Sequence, residues 1–343
     1  MAEADGSLSL AASGTGGPPT AWILTDGKAG DEAQCLGVVD AMGLDPIVKR
    51  VSPRPLFAFA MPWGPIDPRD APARSGSPIA PPFPDLLVAS GRRAVPYIRA
   101  VKRASRGRTY TVVLKDPRTG MRAADLIWAP AHDRLRGPNV IVTATAPHRI
   151  TAARLGEARR CPDLRLAALG RPLVAILVGG DSHHHRFTAG DVARLAADLR
   201  LLVASGAALA VTASRRTPPA LRAALAALTS GPGHFLWDGE GQNPYLALLA
   251  NADAIVATVD STNMIGEAVA TGAPVLLFEP SGGHVKIRAF LDGLAAHGAV
   301  RPFTGRLEGF SYQPLDTTPE IARAVAAGLE RHLAAVRTGR PEF

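Results

Sequence analysis

The sequence predicts an α/β protein with two doubly wound, Rossmann-like domains that face a cleft. Short apolar runs rich in β-branched residues alternate with helix-like segments in two successive blocks, at 20–160 and 172–316. Glycines and helix-capping residues follow several of these runs, as turns from strand to helix require. The 343 residues are enough for two domains, each with a hydrophobic core of its own.

Composition limits the classes of partner. The chain has 47% hydrophobic and 20% charged residues, which is typical of a globular protein. Its formal net charge of +8 is compatible with binding to phosphates, anionic membranes or nucleic acid. Because the sequence has no zinc finger, RNA-recognition signature or basic heptad region, we expect no nucleic-acid partner.

The sequence also predicts a cytoplasmic location. Residues 1–19 are small, polar and Gly-rich, which predicts a disordered tail, and their start, MAEADG, lacks the basic region of a signal peptide. No stretch reaches the ~20 apolar residues of a spanning helix, so we expect at most peripheral binding to the inner face of a membrane. Cys35 and Cys161 form no CxxC pair, and we expect both to be reduced thiols.

The first block opens with a predicted strand at Trp22–Thr25, followed by the loop DGKAGDEAQ. Asp31 and Gln34 have the spacing of a capping box, which predicts a helix from about 32 to 42 that stops at Gly43. A strand, a glycine loop and a helix in this order form the anion-binding arrangement of α/β folds.

This first loop contains candidate residues for ligand binding. Gly27 and Gly30 let the backbone come close to a ligand. Lys28 and Asp31 are candidates for binding a substrate or for acid–base chemistry, with the alternative that Asp31 only caps the helix. No Walker A or GxGxxG sequence is present, so no specific nucleotide motif is satisfied.

Further strands of this block are predicted at 44–51, 86–89, 109–114, 125–128 and 139–144. The Pro-rich segment 52–84 is predicted to be a long ordered insertion with apolar anchors in Trp63–Pro68. Asp116 and His148 fall just after or near strand ends, where the ligand sites of α/β folds lie. A helix at about 150–160 closes the block.

A basic helix is predicted at about 94–105. The basic residues of this helix, with those just before it, are Arg92, Arg93, Arg99, Lys102 and Arg103. A helix with this charge can lie against anionic lipid headgroups. The alternative is an ordinary basic face in solvent.

A linker at 161–171 precedes the second block, which starts with a predicted strand at Leu173–Val178 and the loop GGDSHHHRF. In this loop, the N–H groups of Gly179 and Gly180 and the hydroxyl of Ser182 are predicted to hold a phosphate. The three adjacent histidines lack the spacing of a metal-ligand set, so we expect no metal. After the loop, Thr188 and Asp191 have capping-box spacing, which predicts a helix to about Ser205.

The next strand, at Ala208–Ala213, leads directly to two arginines. Arg215 and Arg216 are candidates for charge-assisted hydrogen bonds to a diphosphate, and surface arginines are the alternative. Thr217 is predicted to cap the following helix and Pro218 to open it.

The stretch 254–280 reads as strand, helix, strand. Ile255–Thr258 is a buried strand, Asp260–Thr262 are helix-start residues, Gly272 ends the helix, and Val275–Phe278 is the next strand.

Glu267 lies on this helix, on the same face as Asn263. A nucleotide approaching the helix start meets free N–H groups and hydroxyls first, and then a carboxylate that can hold two ribose hydroxyls. The alternative is a solvated glutamate on an ordinary α/β helix.

Six stretches of the chain carry a resemblance to a known family. They are WILTDGKAGDEAQCLG at 22–37, WGPIDPRDAP at 63–72, LLVASGRRAVPYIRA at 86–100, LKDPRTG at 114–120, VGGDSHHHRF at 178–187 and ASRRTP at 213–218. Together they resemble the elongated-mitochondria family, which comprises the plant mitochondrial-fission factor and its bacterial homologues. The stretch 254–280 also resembles the donor-sugar half of GT-B glycosyltransferases.

The resemblance implies a GT-B-like architecture and a metal-independent glycosyltransferase-like protein. In the second domain, a nucleoside-diphosphate sugar would contact Gly179, Gly180, Ser182 and Arg215 through its phosphates, Ser261 and Thr262 at the helix start, and Glu267 through its ribose. The first domain would hold an envelope or lipid-linked acceptor at the loop of Gly27, Lys28 and Gly30. Candidate bases for the acceptor are Asp31, Asp116 and His148. No cofactor other than the sugar donor is expected.

Two other functions stay open at this point. A nucleotide-sugar epimerase can use the same architecture without a second substrate. A non-catalytic membrane-recruitment scaffold is the other, because the plant relative is regarded as a recruiter of the fission machinery.

The last segment, 317–343, is predicted to contain a helix from about 319 to 336, with Thr317 and Glu320 as its capping box. The resemblance implies that this helix crosses back to pack on the first domain.

Overall fold

The computed structural model describes residues 17–339, so residues 1–16 of the predicted disordered tail lie outside the described residues. The chain divides into two compact units. One comprises the residues up to Arg149 together with those from Thr317 onward, and the other comprises residues 150–316. Each unit is built on one six-stranded parallel sheet, which confirms the predicted α/β class.

The strands of the first unit are β1 (Ala21–Thr25), β2 (Pro46–Arg50), β3 (Leu86–Ser90), β4 (Tyr110–Leu114), β5 (Leu126–Pro130) and β6 (Val140–Thr143). They lie in the order β2–β1–β3–β4–β5–β6, and every neighbouring pair is parallel. Strands β1, β3 and β4 are buried along their whole length, as the central strands of a sheet covered on both faces should be.

The helices of the first unit are α1 (Ala29–Ala41), α2 (Pro55–Ala60), α3 (Ala94–Ala104) and, from the end of the chain, α11 (Thr318–Arg337). One face of the sheet is covered by α1 and α11, whose buried side chains include Val38 and Ile321. The other face is covered by α3 and the Pro-rich insertion, through side chains such as Ile98 and Met61.

The insertion packs on the sheet, and the predicted anchor segment Trp63–Pro68 contributes to this packing only in part, through Ile66. Met61 and Ile79 are fully buried, whereas Trp63 is 68% exposed. The Asp67 carboxylate, which has no exposed side-chain surface, accepts hydrogen bonds from Arg54 Nε (2.9 Å) and the Arg69 amide (3.0 Å). These bonds hold the pKa of Asp67 well below its usual range. The segment is therefore held by a buried carboxylate as well as by apolar packing.

The strands of the second unit are β7 (Leu173–Val178), β8 (His185–Arg186), β9 (Ala208–Ala213), β10 (Phe235–Leu236), β11 (Ala254–Thr258), β12 (Val275–Phe278), β13 (Ser281–Gly282) and β14 (Val300–Pro302). Six of them form a parallel sheet in the order β10–β9–β7–β11–β12–β14. This is the strand order of a dinucleotide-binding Rossmann sheet. Strands β8 and β13 pair separately in an antiparallel ribbon.

The helices of the second unit are α4 (Ala152–Arg160), α5 (Leu164–Ala167), α6 (Ala189–Ala204), α7 (Pro219–Leu228), α8 (Tyr245–Asn251), α9 (Thr262–Val269) and α10 (Val285–Ala296). Helix α5 lies inside the predicted linker at 161–171. Leu155 and Leu166 are buried in the core of this unit, so the segment packs with the second unit rather than connecting two domains as an exposed linker. No helix among residues 17–339 is long and apolar enough to cross a bilayer.

Only one of the three predicted capping boxes forms. At α6, Thr188 Oγ1 accepts from the Asp191 amide (3.2 Å) and Asp191 Oδ2 accepts from the Thr188 amide (3.0 Å). Helix α1 begins at Ala29, earlier than predicted, and has no side-chain cap. Thr317 does not cap α11, because its hydroxyl donates to the carbonyl of Thr145 instead (2.8 Å).

Gly37 of α1 gives a test of the packing in the first unit. A Cβ at this position would lie 2.5 Å from the His148 carbonyl oxygen, so we expect Gly37→Ala to lower the free energy of unfolding by about 1–3 kcal/mol. The matched control is Gly293→Ala in α10, where a Cβ would meet no atom within 4 Å. There the better helix propensity of alanine should stabilise the protein by about 0.5–1 kcal/mol.

Urea unfolding of both full-length variants measures these two effects. Stabilisation by Gly37→Ala would contradict the close approach of α1 to the segment that follows β6.

Candidate functional site

The strand order of each sheet identifies the place where a ligand is expected. In open α/β sheets, the chain reverses its direction of winding between two neighbouring strands, and this place is called the switch point. Ligands bind beyond the carboxyl ends of these two strands. In the second unit these strands are β7 and β11, and in the first unit they are β1 and β3. The residues that directly follow these four strands therefore define one candidate half-site in each unit.

In the second unit, the loop after β7 is tied to the end of β11. The Gly179 amide donates to Thr258 Oγ1 (2.8 Å), and the Gly180 amide donates to Asp260 Oδ2 (2.8 Å). A Cβ on Gly179 would lie 2.1 Å from Asp260 Oδ2, and a Cβ on Gly180 would lie 2.2 Å from backbone atoms of Arg216. Both glycines are thus required by close packing, and their N–H groups are bonded within the chain.

Asp260 is the centre of this arrangement. Its side chain has no exposed surface, and its carboxylate accepts from the Thr258 hydroxyl (2.7 Å) and from Arg216 Nη2 (3.2 Å) as well as from Gly180. Arg216 also donates to the carbonyl of Asp181 (2.9 Å). Arg216 is therefore used in holding the loop.

Arg215 is placed differently from its neighbour. It is exposed, and no hydrogen bond or ion pair joins its side chain to another residue within 17–339. Thr217 does not cap α7 as predicted, because its hydroxyl donates to the carbonyl of Gly179 and the helix begins one residue late, after Pro218. Of the two arginines, Arg215 is the one whose guanidinium is not bonded to another described residue.

The histidine loop is folded by Ser182. Ser182 Oγ accepts from the amides of His184 (3.2 Å) and His185 (3.0 Å), so the hydroxyl predicted to bind phosphate is used as a loop cap. The rings of His184 and His284 lie 4.2 Å apart between centroids. Burial, together with the neighbouring histidines, lowers the pKa of His184. Within the described part of the chain no group of three or more potential ligands is arranged to hold a metal ion.

Helix α9 follows β11 and has no side-chain cap. Ser261 occupies the N-cap position but makes no capping hydrogen bond, contrary to the prediction, and Thr262 is the first helical residue. The helix ends at Val269, and Gly272 (φ +79°) begins the turn into β12. The first N–H groups of α9 therefore receive no capping hydrogen bond from the Ser261 side chain.

Glu267, one and a half turns into α9, is held by a tyrosine. Tyr245 Oη, from the first residue of α8, donates to Glu267 Oε2 (2.6 Å). Burial raises the pKa of Glu267 to about 7, although the hydrogen bond from Tyr245 acts in the opposite direction. Burial also raises the pKa of Tyr245, which stays the donor. This carboxylate is fixed in position and takes up or releases its proton near neutral pH.

The first unit has its own cluster at the carboxyl ends of β1 and β3. Asp26, directly after β1, pairs with Lys28 (3.2 Å) and with Arg93 (3.3 Å), which precedes α3. Asp26 Oδ1 is buried and accepts no hydrogen bond from any residue within 17–339. Gly27 (φ +86°) provides the left-handed turn between Asp26 and α1, and Gly30 lies inside α1.

Asp31 bridges three elements rather than capping α1. Its Oδ1 accepts from Lys115 Nζ (2.5 Å), after β4, and from the Ser90 hydroxyl (3.1 Å), at the end of β3. Lys115 has φ +80°, a backbone conformation that is strained for a residue with a side chain and that is frequent at functional sites. The side chain of Asp31 is 12% exposed. A carboxylate, an ammonium and a hydroxyl therefore meet at the switch point of this sheet.

The other two candidate bases, Asp116 and His148, do not take part in the contact of Asp31 with Lys115 and Ser90. Asp116 is exposed, and its Oδ1 accepts from the Arg118 amide (2.7 Å) in a turn after β4. His148 is 3% exposed, and its amide donates to Thr318 Oγ1 (3.1 Å) at the start of α11. Both stay predictions, but Asp31 is the candidate that the fold combines with other polar side chains at the switch point.

Five residues of these half-sites were not singled out for binding or chemistry by the sequence, namely Asp26, Ser90, Lys115, Tyr245 and Asp260. Four of them, Asp26, Ser90, Lys115 and Asp260, come directly after or close behind a predicted strand, and that position is the signal by which they can be found. Tyr245 carries no such signal, because only the packing of α8 on α9 brings it to Glu267.

Comparison with known families concerns almost the whole chain. Residues 29–329 match the family described as Mitochondrial fission ELM1. Mitochondrial fission protein ELM1 of Arabidopsis thaliana is 30% identical over 269 residues, which are 71% of this chain and 63% of that protein. The uncharacterized protein RP120 of Rickettsia prowazekii is 28% identical over 191 residues, 53% of this chain and 52% of that protein. The chain thus spans about half to two thirds of the length of these curated relatives.

Comparison with solved structures concerns the fold. The UDP-GlcNAc 2-epimerase of Methanocaldococcus jannaschii, in complex with UDP-GlcNAc and UDP, matches with a TM-score of 0.52 and 11% identity over 90% of this chain and 98% of that one. The UDP-GlcNAc 2-epimerase of Neisseria meningitidis, bound to UDP-GlcNAc, matches with a TM-score of 0.50 and 12% identity over 94% of each chain. These enzymes have the GT-B fold, so the predicted fold class is confirmed.

The pKa of Glu267 predicts how stability depends on pH. Since burial raises this pKa from 4.5 to about 7, the folded state binds the proton more tightly than the unfolded state. The stabilising contribution of Glu267 to the free energy of unfolding is complete below pH ~4.5 and is lost as the pH rises through about 7. Between pH 5 and pH 8, we expect the free energy of unfolding of wild type to fall by at most about 3 kcal/mol relative to that of Glu267→Gln.

Urea unfolding of both proteins at several pH values measures this difference. The control is Glu308→Gln, which removes a half-exposed carboxylate of the same unit. This variant should show the same dependence of the free energy of unfolding on pH as wild type. Parallel stability curves for wild type and Glu267→Gln would exclude the raised pKa.

Proposed function

The chain belongs to the mitochondrial fission ELM1 family, and from this premise we propose that it is a glycosyltransferase-like protein. Its second unit binds a nucleoside-diphosphate sugar, and its first unit receives an envelope or lipid-linked acceptor. The protein acts without a metal and lies on the inner, cytoplasmic face of a membrane. Both epimerase structures contain UDP-GlcNAc, and that of Methanocaldococcus jannaschii also contains UDP, which supports a nucleotide sugar as the ligand.

The observation that carries this proposal is the position of Glu267. Its carboxylate is oriented by Tyr245 at 2.6 Å on the helix that follows β11, one of the two switch-point strands. A fixed, ionised carboxylate can accept hydrogen bonds from both hydroxyls of a ribose, and such charge-assisted bonds are about twice as strong as neutral ones. The alternative of a freely solvated glutamate does not fit a carboxylate whose pKa burial raises to about 7.

The diphosphate is assigned to the exposed cation and to the helix start. Arg215 has an available guanidinium, and Ser261 and Thr262 stand at the uncapped N-terminus of α9, where the helix dipole favours an anion. Gly179, Gly180 and Ser182 belong to the same site, but their N–H and hydroxyl groups hold the loop together. In this assignment they shape the floor of the site while Arg215 and α9 supply the attraction.

On the acceptor side, Asp31 is assigned as the base. It follows the loop of Gly27 and Lys28 and lies on α1 directly after Gly30, and its contact with Lys115 fixes the orientation of its carboxylate. A positioned carboxylate can take the proton of an attacking hydroxyl as the bond to the sugar forms and the nucleoside diphosphate leaves. Asp116, after the neighbouring strand β4, is the second candidate.

Sugar epimerisation is the alternative that a specific observation favours, because the epimerases have the same fold. An epimerase converts its nucleotide sugar without an acceptor. Incubation with the nucleotide sugar alone separates the two activities, since an epimerised donor supports the epimerase, whereas donor that stays unchanged alone and is consumed once an acceptor is added supports the transferase. Absence of binding to every nucleotide and nucleotide sugar would favour the recruitment scaffold.

We expect a nucleoside diphosphate to bind the wild-type protein in the presence of EDTA and to bind Glu267→Gln more weakly. Because the carboxylate must be ionised to accept two hydroxyls, the ratio of the two affinities should grow by up to about tenfold between pH 6 and pH 8. Calorimetry with the best-binding ribonucleotide and its 2′-deoxy analogue tests the contact directly. Removal of the 2′-hydroxyl should weaken binding to wild type and have little effect on Glu267→Gln.

The control for this comparison is again Glu308→Gln, which should bind like wild type at each pH. Equal affinity of wild type and Glu267→Gln for the ribonucleotide would remove Glu267 from the site. Binding that EDTA abolishes and Mn²⁺ restores would overturn the proposed independence of metal.

Asp31→Asn separates chemistry from donor binding. We expect turnover of the nucleotide sugar to fall about 10²-fold or more, since a general base contributes typically 10²–10⁴-fold, while the affinity for the nucleoside diphosphate stays within twofold. The matched control is Asp40→Asn, on the same helix, where the carboxylate pairs with Arg149 at the surface (2.6 Å). Unchanged turnover in Asp31→Asn would transfer the role of base to Asp116 or His148.

A further inference from the structure

A groove lies between the Pro-rich insertion and α3 in the first unit. Its volume is about 690 Å³, within the range of small-molecule binding pockets. The walls are mostly apolar, with Trp63, Ile66 and Phe83 among them, and Arg99 and Arg103 are its charged residues. None of the residues that line this groove, all within the described part of the chain, is acidic.

Beside the groove, the insertion exposes three large apolar side chains. Leu56 and Phe59, three residues apart on α2 and so on one face of that helix, are 76% and 85% exposed, and Trp63 is 68% exposed. Helix α2 and Trp63 are held close together, because the Gly64 amide donates to the Ala60 carbonyl (2.8 Å). We refer to Leu56, Phe59 and Trp63 as the apolar face.

The basic residues of α3 are not equivalent. Lys102 is bonded to Asp125, and Arg99 Nη2 donates to the carbonyl of Pro62 (2.6 Å). Arg103 is exposed at the groove, and no hydrogen bond or ion pair joins its side chain to another residue within 17–339. The sequence grouped all three as one basic surface, whereas the structure leaves the guanidinium of Arg103 available to an external anion.

We propose that the apolar face and the groove form a binding site for an anionic membrane phospholipid. One acyl chain lies in the groove, the phosphate pairs with Arg103, and Leu56 and Phe59 enter the interfacial layer of the bilayer. This inference rests on the proposed peripheral membrane location and specifies its site, and it does not depend on the nucleotide site of the second unit.

Charge and side-chain type favour a lipid over a protein as the occupant. An aliphatic and aromatic face next to a cationic groove is the composition of surfaces that bind anionic membranes, where aromatic rings lie at the headgroup level and basic side chains contact phosphates. The ordered insertion keeps Trp63 exposed although its neighbours Met61 and Ile66 are wholly or partly buried. An exposed apolar surface of this kind marks an interaction site rather than an incidental feature.

The test is binding of the full-length protein to vesicles of phosphatidylcholine alone and of phosphatidylcholine with phosphatidylglycerol. We expect the partition coefficient to be higher for the anionic vesicles and to fall as salt is added, because exposed charges are screened. Arg103→Glu should lower it about fivefold or more, and Leu56→Asp/Phe59→Asp about tenfold or more. Ala104→Trp, which fills the groove without a change of charge, should also lower it.

Two control variants carry equivalent changes elsewhere in the chain. Leu164→Asp alters a leucine that is 84% exposed in the second unit, and Arg306→Glu reverses an exposed charge of that unit. Both should partition like wild type. Acyl chains brominated near the headgroup should quench the fluorescence of Trp63, and this quenching should be lost in Trp63→Phe.

Several results would overturn the proposal. These are equal partition of wild type into neutral and anionic vesicles, equal partition of Arg103→Glu and wild type, and unchanged quenching in Trp63→Phe. Self-association of wild type that Leu56→Asp/Phe59→Asp abolishes, without lipid binding, would instead assign the face to a second copy of the chain. Calorimetry with a nucleoside diphosphate on the same variants keeps this outcome separate from the nucleotide proposal, because lipid variants should retain wild-type affinity for the nucleotide.

Discussion

The buried carboxylate of Asp260 is the interaction on which the arrangement of the second unit depends. A carboxylate without exposed surface is costly unless it is fully hydrogen-bonded. Asp260 meets this requirement by joining the Gly180 amide, the Thr258 hydroxyl and Arg216 Nη2. Through these bonds, the loops after β7, β9 and β11 are fixed to one another at the switch point. The same bonds explain why Gly179 and Gly180 must be glycines, since a side chain on either would occupy the space of Asp260 or of the Arg216 backbone.

Most of the fold could be predicted from the sequence because its signals are local. Strands such as β7 and β11 are short runs of β-branched and apolar residues that are buried throughout, and such runs are recognisable without their neighbours. Capping was less predictable because a cap competes with distant partners. Thr188 and Asp191 form their box, and the Thr188 hydroxyl also donates to Asp191 Oδ2 (2.7 Å). Asp31 has the same spacing from Gln34 but bonds Lys115 and Ser90 instead.

The two half-sites also differ in how far apart in the sequence their contacting residues lie. The predicted residues of the second unit follow strands directly, so the order of strand, loop and helix places them together. The polar contact of the first unit joins Asp31 to Lys115 across 84 positions of sequence, and only the adjacency of β3 to β4 brings them together. The Glu267–Tyr245 pair spans 22 positions and depends on how α8 packs beside α9. Sequence patterns therefore located the candidate loops, whereas the partners that orient each carboxylate required the sheet order and the helix packing.

The insertion of the first unit shows how an exposed apolar surface can be kept in a defined shape. A long loop without regular structure would lose conformational entropy on ordering, and this loss must be offset by contacts. Asp67 supplies contacts by binding Arg54 and Arg69, and Tyr97 of α3 adds a hydrogen bond to Asp70 (2.5 Å). Because these polar bonds hold the segment from inside, Phe59 and Trp63 are not needed as anchors. Phe59 and Trp63 are therefore exposed on a surface of defined shape. Since this ordered apolar surface lies beside cationic side chains, evolution can select it for binding.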